Sequence, residues 1–315
     1  MSDAVAPSSP APVAATLPEA APSVDICVCT FRRPHLAQTL SSIAAIDPAG
    51  AQIRVLVADN DATPSAAALV EAQRPGFPFP LLYLHAPAAN ISLARNTCLD
   101  HAAADFIAFV DDDELVSRGW LQALLATAAQ TGAEVVLGPV RALYDARAPA
   151  WQCEGDFHST LPVVAGGVIR TGYTCNVLLR RTQAIRSMRF DLRLGQSGGE
   201  DTEFFYRLTD AGGRIAFAPE AWVDEPVPAS RTSLAWLIRR RFRSGQTYGA
   251  RLLAAGENRF TAAALAAVKA GFCLGMTLLA LWSPIGWRKT LLRGVLHLGV
   301  VGGLFGSKQA RHYGT

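Results

Sequence analysis

A chain of 315 residues, half of them hydrophobic and only 17% charged, has room for one large domain with appendages or for two small ones. The shortage of charge lies mostly in the last 55 residues, where membrane contact is the natural explanation. A formal net charge of +3 is too small to imply nucleic acid, and six cysteines without a CxxC pair or metal spacing read as reduced, buried thiols rather than a disulfide or zinc framework.

Residues 1–23 are rich in Ala, Pro and Ser and have no basic n-region and no continuous apolar run, which predicts a disordered leader rather than a secretion signal. Order is expected from the apolar run 24–30, in which Cys27 and Cys29 share one face, followed by the polar loop Phe31-Arg32-Arg33-Pro34. A helix over 35–46 then leads to a strand over 53–58 that ends in Asp59-Asn60-Asp61. A helix over 65–73, a strand over 81–85, a helix over 92–103 and a strand over 105–110 complete the first half. Strand and helix alternating at this spacing predict an α/β fold, a mostly parallel sheet covered on both faces. Ligands gather at the carboxyl ends of such strands. Three of those ends carry polar residues: Thr30-Phe31-Arg32, Asp59-Asn60-Asp61 and Asp111-Asp112-Asp113.

The acidic run Asp111-Asp112-Asp113-Glu114 is the most informative of these. Packing carboxylates together costs self-repulsion unless a cation sits among them, and hard ions such as Mg²⁺ or Mn²⁺ prefer oxygen ligands shared with phosphate. The bland alternative is an acidic helix start, because Ser117-Arg118-Gly119-Trp120 opens a helical pattern. Neither GxGxxG nor a Walker-type loop follows the first strand, which argues against a dinucleotide oxidoreductase and a P-loop NTPase.

In the second half, strands are expected over 134–140 and 176–181, separated by an irregular stretch over 144–172. A glycine-rich loop, 195–199, then delivers Glu200 and Asp201 to the start of a helix carrying Phe204, Phe205 and Leu208. Asp201 reads either as the N-cap of that helix or as a carboxylate base acting on a hydroxyl; a helix start keeps it ionised in both cases.

Taken in order, segments 24–34, 55–61, 90–96 (NISLARN), 109–114 and 198–201 resemble family 2, GT-A-type nucleotide-sugar glycosyltransferases, and are most similar to the bacterial exopolysaccharide (succinoglycan-type) members. The resemblance covers about residues 24–225. It implies a GT-A fold over 24–256, a nucleoside-diphosphate-sugar donor, UDP-linked, and a divalent metal, Mg²⁺ or Mn²⁺. It implies that Thr30, Arg32 and Asp59 lie near the uracil base, that Arg95 lies close to the nucleotide, that Asp111 faces the ribose and that Asp113 binds the metal. Asp201 is then the catalytic base of an inverting single displacement, with Glu200 positioning the acceptor. Where members often carry a later His, this chain has Trp222-Val223-Asp224-Glu225-Pro226, leaving Asp224 or Glu225 as weak metal candidates. The basic segment 239–246 lacks the QxxRW form of processive synthases, which favours single-sugar addition. Two rivals are a sugar-phosphate nucleotidyltransferase, which needs a basic Gly-rich loop that Phe31-Arg32-Arg33-Pro34 does not supply, and a non-catalytic membrane-bound scaffold, which would not need Asp59, Asp111, Asp113 and Asp201 intact.

The segment 257–315 holds two apolar runs, 261–282 and about 290–305, each near the ~20 residues of a bilayer span. Lys269 and Arg293 interrupt them, and Trp282 and Trp287 suit an interfacial level. The expectation is two helices lying in the cytoplasmic leaflet of the inner membrane, with the arginines of 239–243 on anionic headgroups; a two-span hairpin and a soluble hairpin are the alternatives. Such contact suits a saccharide acceptor carried on a lipid.

Overall fold

The computed structural model describes residues 21–307. Of the expected leader, residues 1–20 lie outside the described residues, as do 308–315 of the carboxyl-terminal segment. The first half alternates as its apolar periodicity dictates: β1 Ser23–Thr30, α1 Leu36–Ala44, β2 Gln52–Asp59, α2 Ala67–Gln73, β3 Leu81–His85, α3 Ile91–His101 and β4 Phe106–Asp111. The remaining strands are β5 Leu115–Val116, β6 Val135–Leu137, β7 Val140–Leu143, β8 Val164–Ala165, β9 Val168–Ile169, β10 Asn176–Arg180, β11 Ile215–Phe217 and β12 Val223–Pro226. The remaining helices are α4 Trp120–Thr131, α5 Ala150–Gly155, α6 Gln183–Ser187, α7 Glu200–Asp210, α8 Leu234–Ala254, α9 Arg259–Leu279 and α10 Gly286–Leu304.

Seven strands form the main sheet in the order β11-β6-β10-β4-β1-β2-β3. β1 lies parallel to both β2 and β4, and β3 is parallel to β2, so the carboxyl ends of all four open on one edge. β10 alone runs antiparallel, between β4 and β6. Alternation along β1 sorts the core into two layers. Val24, Ile26 and Val28 pack toward Leu36 and Leu40 of α1 and Trp120 of α4, while Cys27 and Cys29 pack toward Cys98 of α3 and Phe204 of α7. Both faces are covered, and near-continuous apolar strands result.

Several expectations needed correction. The strand expected over 134–140 breaks at Gly138-Pro139, leaving β6 in the main sheet and β7 in a second sheet ordered β5-β12-β7. Gly138 is where the chain backs onto its neighbours: a Cβ there would stand 2.3 Å from the Ala221 carbonyl and 2.4 Å from Asn176 Nδ2. The stretch 144–172 contains α5 and the β8–β9 hairpin. Of the thiols, Cys153 is exposed and Cys175 half-buried; the other four are buried as expected.

The largest departure is α8, a 21-residue helix that runs through the basic segment 239–246. Gly245 and Gly249 of α8 meet Gly299 and Gly303 of α10 so closely that a Cβ on Gly299 would stand 2.1 Å from the Phe242 carbonyl. Two GxxxG spacings thus bring two helix backbones into contact, which larger side chains would forbid. The second apolar run is therefore spent on protein: Leu292, Val295, Val300 and Leu304 of α10 are buried. Only α9 is long and apolar enough among the described helices to cross a membrane. It buries small residues, Ala263, Ala266, Ala270 and Cys273, and exposes Leu265, Val268, Phe272, Met276 and Leu279 along one stripe.

Candidate functional site

The edge where β1, β2 and β4 end carries a network of charged side chains. At the end of β1, Thr30 Oγ1 donates to Asp112 Oδ2 at 2.7 Å, and the Phe31 amide donates to the same oxygen at 3.4 Å. Arg32 turns outward with φ 53° and grips Asp61 through two bonds of 2.8 Å, which holds the Asp61 carboxyl well below its usual range. Arg33 Nη1 meets Asp113 Oδ2 at 2.9 Å.

Asp59 ends β2 and is fully buried. Its two oxygens accept from the Asp61 amide (3.1 Å), the Ala66 amide (2.7 Å), the Ser65 hydroxyl and the Tyr83 hydroxyl (2.9 Å). That carboxylate shapes the loop after β2.

The acids at the end of β4 divide differently from the helix-start alternative. The first turn of α4 contains no acid, its N-cap Gly119 makes no side-chain bond, and β5 intervenes. Asp112 and Glu114 instead point into the protein. Asp112 is pushed up to about 6 by burial, with Thr30 acting against the shift and Asp113 adding to it. Glu114 Oε2 accepts from the Asp111 amide at 3.0 Å, and burial followed by repulsion from Asp111 and Glu225 drives its carboxyl well up. Desolvation in the cleft raises Asp111; Arg95 opposes this, and Asp113 and Asp112 reinforce it. The Asp111 side chain keeps 43% of its surface, so water still reaches it.

The Asp111 and Glu114 carboxylates and the Cys175 thiol lie within 4.8 Å of one another, a separation that a single cation could bridge. Two buried or half-buried carboxyls with raised affinity for protons are groups that a divalent ion would displace protons from. The donor set thus fits a hard ion through its oxygens, with Asp111 on the accessible side.

Arg95 joins this cluster to the second one. It is buried on α3, a helix capped by Asn90 Oδ1 accepting from the Leu93 amide at 3.2 Å. Its Nη1 pairs with Glu200 Oε1, and its Nη2 stands 3.9 Å from Asp111 Oδ1. Burial raises Glu200 and Arg95 acts against that rise. Glu200 is itself buried, so its side chain ties α7 to α3.

Asp201 is the second residue of α7 and is not its N-cap; Gly199 holds that place without a side-chain bond. Gly198 and Gly199 have φ of 89° and 92°, and a Cβ on Gly199 would also stand 2.7 Å from Thr247 Cγ2 of α8. The glycines therefore serve both a left-handed turn and a close approach. Asp201 is half-buried and one oxygen, Oδ1, accepts from the Thr202 amide at 2.6 Å.

Sequence reasoning missed Arg33, Cys175 and Arg231. Arg231 Nη1 binds Glu225 Oε1 at 2.5 Å and its Nη2 stands 3.7 Å from Asp113 Oδ2. Glu225, whose carboxyl is raised by burial against the pull of Arg231, thereby joins the acidic cluster. Asp224 does not: it pairs with Arg141 at 2.6 Å on the second sheet. Arg33 adjoins a residue already singled out, but the convergence of segments around 33, 175 and 231 on Asp111–Asp113 has no local sequence signal.

The glycosyl transferase family 2 model matches residues 25–186, over half of the chain. The chain belongs to glycosyl transferase family 2. It is 58% identical over 297 residues to the succinoglycan biosynthesis protein ExoM of Rhizobium meliloti (strain 1021), covering 93% of this chain and 96% of that one. It is 31% identical over 172 residues to the pre-mycofactocin glycosyltransferase of Mycobacterium tuberculosis, covering 51% of this chain and 35% of that one. Among solved structures, the mannosyltransferase PcManGT of Pyrobaculum calidifontis, in complex with GDP-Man and Mn²⁺, superposes with a TM-score of 0.60 at 19% identity, covering 92% of this chain and 88% of that one. This glycosyltransferase thus has the GT-A fold expected from its motif order.

Proposed function

We propose that this family 2 enzyme transfers one hexose from a nucleoside-diphosphate sugar, a UDP-sugar first among candidates, to a hydroxyl of a saccharide or lipid-linked saccharide during exopolysaccharide synthesis. The observation that carries the reading is the Arg95 strut, which holds the carboxylates at the end of β4 and the start of α7 in one cleft. The 58% identity to a succinoglycan biosynthesis protein supports the same polymer class.

In this reading Asp201 accepts the proton of the acceptor hydroxyl. The acceptor oxygen attacks the anomeric carbon as the bond to the diphosphate oxygen breaks, and configuration inverts in a single displacement. Glu200, held by Arg95, fixes the first turn of α7 on which Asp201 stands and so acts as a positioning residue. Asp111 and Asp113 would hold Mg²⁺ or Mn²⁺, which when bound would supply positive charge to the departing diphosphate. Arg33 and Arg231, now on Asp113, are within reach of the same phosphates. Thr30 and Arg32 border the base side, and Asp59 braces the loop beneath it. The donor unit spans 24–256, and 257–315 forms a membrane-associating unit. We place the enzyme on the cytoplasmic face of the inner membrane, with the exposed stripe of α9 in the leaflet.

The test is a panel of nucleoside-diphosphate sugars offered to the purified chain in lipid with Mg²⁺ or Mn²⁺, with mass analysis of the products. One donor should be hydrolysed slowly without acceptor and transferred in its presence. If none is hydrolysed or bound, the transferase reading fails; release of a nucleoside-diphosphate sugar from sugar phosphate and a nucleoside triphosphate would favour the nucleotidyltransferase instead.

A further inference from the structure

Behind Arg231 lies a buried histidine. His158, 3% exposed, follows α5 in the stretch between β7 and β8, and both of its ring nitrogens are committed. Nε2 stands 3.2 Å from the Arg231 carbonyl, and a carbonyl only accepts, so Nε2 carries the proton. Nδ1 stands 2.9 Å from the Tyr144 hydroxyl, which accepts from the His158 amide at 3.3 Å and donates to the ring. The neutral Nε2–H tautomer satisfies both partners at once. Burial, opposed by the bond to the Arg231 carbonyl and reinforced by the charges of Arg240 and Arg231, pushes the ring down to about 4 and keeps it neutral. The ring stacks on Trp236 of α8, centroids 5.3 Å apart at 22°, and meets Tyr144 edge-on at 5.4 Å.

What this histidine grips is a tight turn. Ala229–Arg231 is a single turn of 3-10 helix after β12, and its N-cap Pro228 makes no side-chain bond. Among the described residues, the other backbone bonds of 228–232 close within the turn: the Arg231 amide donates to the Pro228 carbonyl, and the Thr232 amide to the Ala229 carbonyl. The bond from His158 is the one that ties this backbone to a distant segment. Tyr144 directly follows β7, which pairs in parallel with β12 through Glu225 opposite Ala142 and Pro226 opposite Leu143. The two chains therefore leave the second sheet side by side, and His158 bridges them. From the turn, the Arg231 guanidinium reaches Glu225 at 2.5 Å and Asp113 at 3.7 Å, and lies 5.9 Å over the same Trp236 ring. One tryptophan thus touches both the histidine and the guanidinium whose backbone the histidine holds.

We infer that His158 is a positioning residue of the donor site: it fixes the 229–231 turn and so aims the Arg231 guanidinium at Asp113, where the diphosphate of the donor would lie. The inference rests on the reading of this edge as the diphosphate site, and it adds a residue that touches neither donor nor metal. A guanidinium presents its N–H donors in a fixed fork, so it serves two phosphate oxygens only when its plane is aimed. An arginine free to swing also loses more conformational entropy on pairing than one whose backbone and ring contact are already set. Loss of His158 is therefore expected to weaken donor binding without removing any charge from the site.

The experiment uses the full chain, with calorimetric titration of UDP in Mn²⁺ and hydrogen exchange over residues 227–236 measured without nucleotide. His158→Phe keeps an aromatic ring on Trp236 and loses both polar bonds. Exchange through the turn should rise, and UDP should bind roughly five- to tenfold more weakly, the loss of one well-aimed charge-assisted bond. His158→Gln, whose amide still offers an N–H to the Arg231 carbonyl, should recover part of both. Arg231→Gln should weaken UDP at least as much, and adding His158→Phe to it should weaken UDP no further, because the histidine acts through that arginine. A merely structural histidine would lower the thermal midpoint and leave UDP affinity where it was. That result, or a full further loss of affinity in the Arg231→Gln chain, overturns the inference. Where His158→Phe fails to fold, Tyr144→Phe takes its place in the same cycle, since it removes the bond to Nδ1, with an expected loss of about two- to threefold. If the parent binds neither UDP nor GDP with Mn²⁺, the diphosphate reading of the edge fails on the parent alone. Unchanged exchange in His158→Phe overturns the role of His158 separately.

Discussion

The β4 edge and the carboxyl-terminal helices break the usual burial rule in opposite directions. At the edge, Asp59, Asp112, Glu114, Glu200 and Arg95 are all buried, each carboxyl or guanidinium bonded to a partner side chain or a backbone amide. In the helices, α9 turns Leu265, Val268, Phe272 and Leu279 outward and packs its alanines inward. Charges are rarely taken out of water, and long apolar stripes are rarely left in it, unless a ligand or a surface completes them. The edge is stabilised by specific pairs and tolerates little change. The helices are held by the absence of side chains at Gly245, Gly249, Gly299 and Gly303, a different way of specifying one packing.

The largest expected effect separates chemistry from binding at the edge. Asp201→Asn should lower transfer by about 10²- to 10⁴-fold while leaving donor affinity unchanged; equal transfer by variant and parent would remove Asp201 as the base. Next in size, Arg95→Met should destabilise the chain by about 3 to 5 kcal/mol, because it strands Glu200 as an unpaired buried charge. Denaturant unfolding measures this, and a double substitution with Glu200→Met should recover much of the loss. If the single and double variants are equally unstable, the strut contributes packing and not charge.

A pH experiment sharpens the same side of the contrast. Asp112 in the folded chain titrates at about 6, above its ordinary 3.8, so the folded state holds more protons than the unfolded one between those values. Its contribution to stability is therefore lost as pH rises from about 4 to about 6. His158, pushed down to about 4 by burial and opposed by its bond to the Arg231 carbonyl, tilts this window the other way. The informative quantity is therefore a difference: in chelator, Asp112→Asn should gain on the order of 2 to 3 kcal/mol over the parent across the window. Parallel stability curves would show that Asp112 titrates normally. The smallest effect belongs to the helices. Gly299→Val should cost about 1 to 3 kcal/mol by forcing α10 away from α8, read as a lower thermal midpoint with donor hydrolysis intact.

Much of the edge was legible because strand ends are local features. The apolar runs before Thr30, Asp59 and Asp111 place those residues on one edge as soon as the strands are parallel, and the glycines before Glu200 mark a tight turn. What Asp59 and Arg95 do once there was not legible. That the oxygens of Asp59 gather the Ala66 amide and the Tyr83 hydroxyl is visible only in the tertiary structure. The pairing of Arg95 with Glu200, 105 positions away, has no local signal in the sequence. In the carboxyl-terminal segment, hydropathy scored two runs alike, although the GxxxG spacings at 245–249 and 299–303 were present as a sign that one of them packs on protein.

The sequence alone determined the layered α/β fold, the motif order that marks the family, and the presence of carboxylates at the ends of two strands and one helix, because each follows from periodicity, turn chemistry and spacing along the chain. The tertiary structure decided which carboxylates face the cleft, that Arg95 ties the two acidic clusters together, that Arg33, Glu225 and Arg231 surround Asp113, and that α9 but not α10 keeps an apolar face. Those outcomes depend on distances between segments far apart in the chain, and burial and charge pairing are properties of such distances.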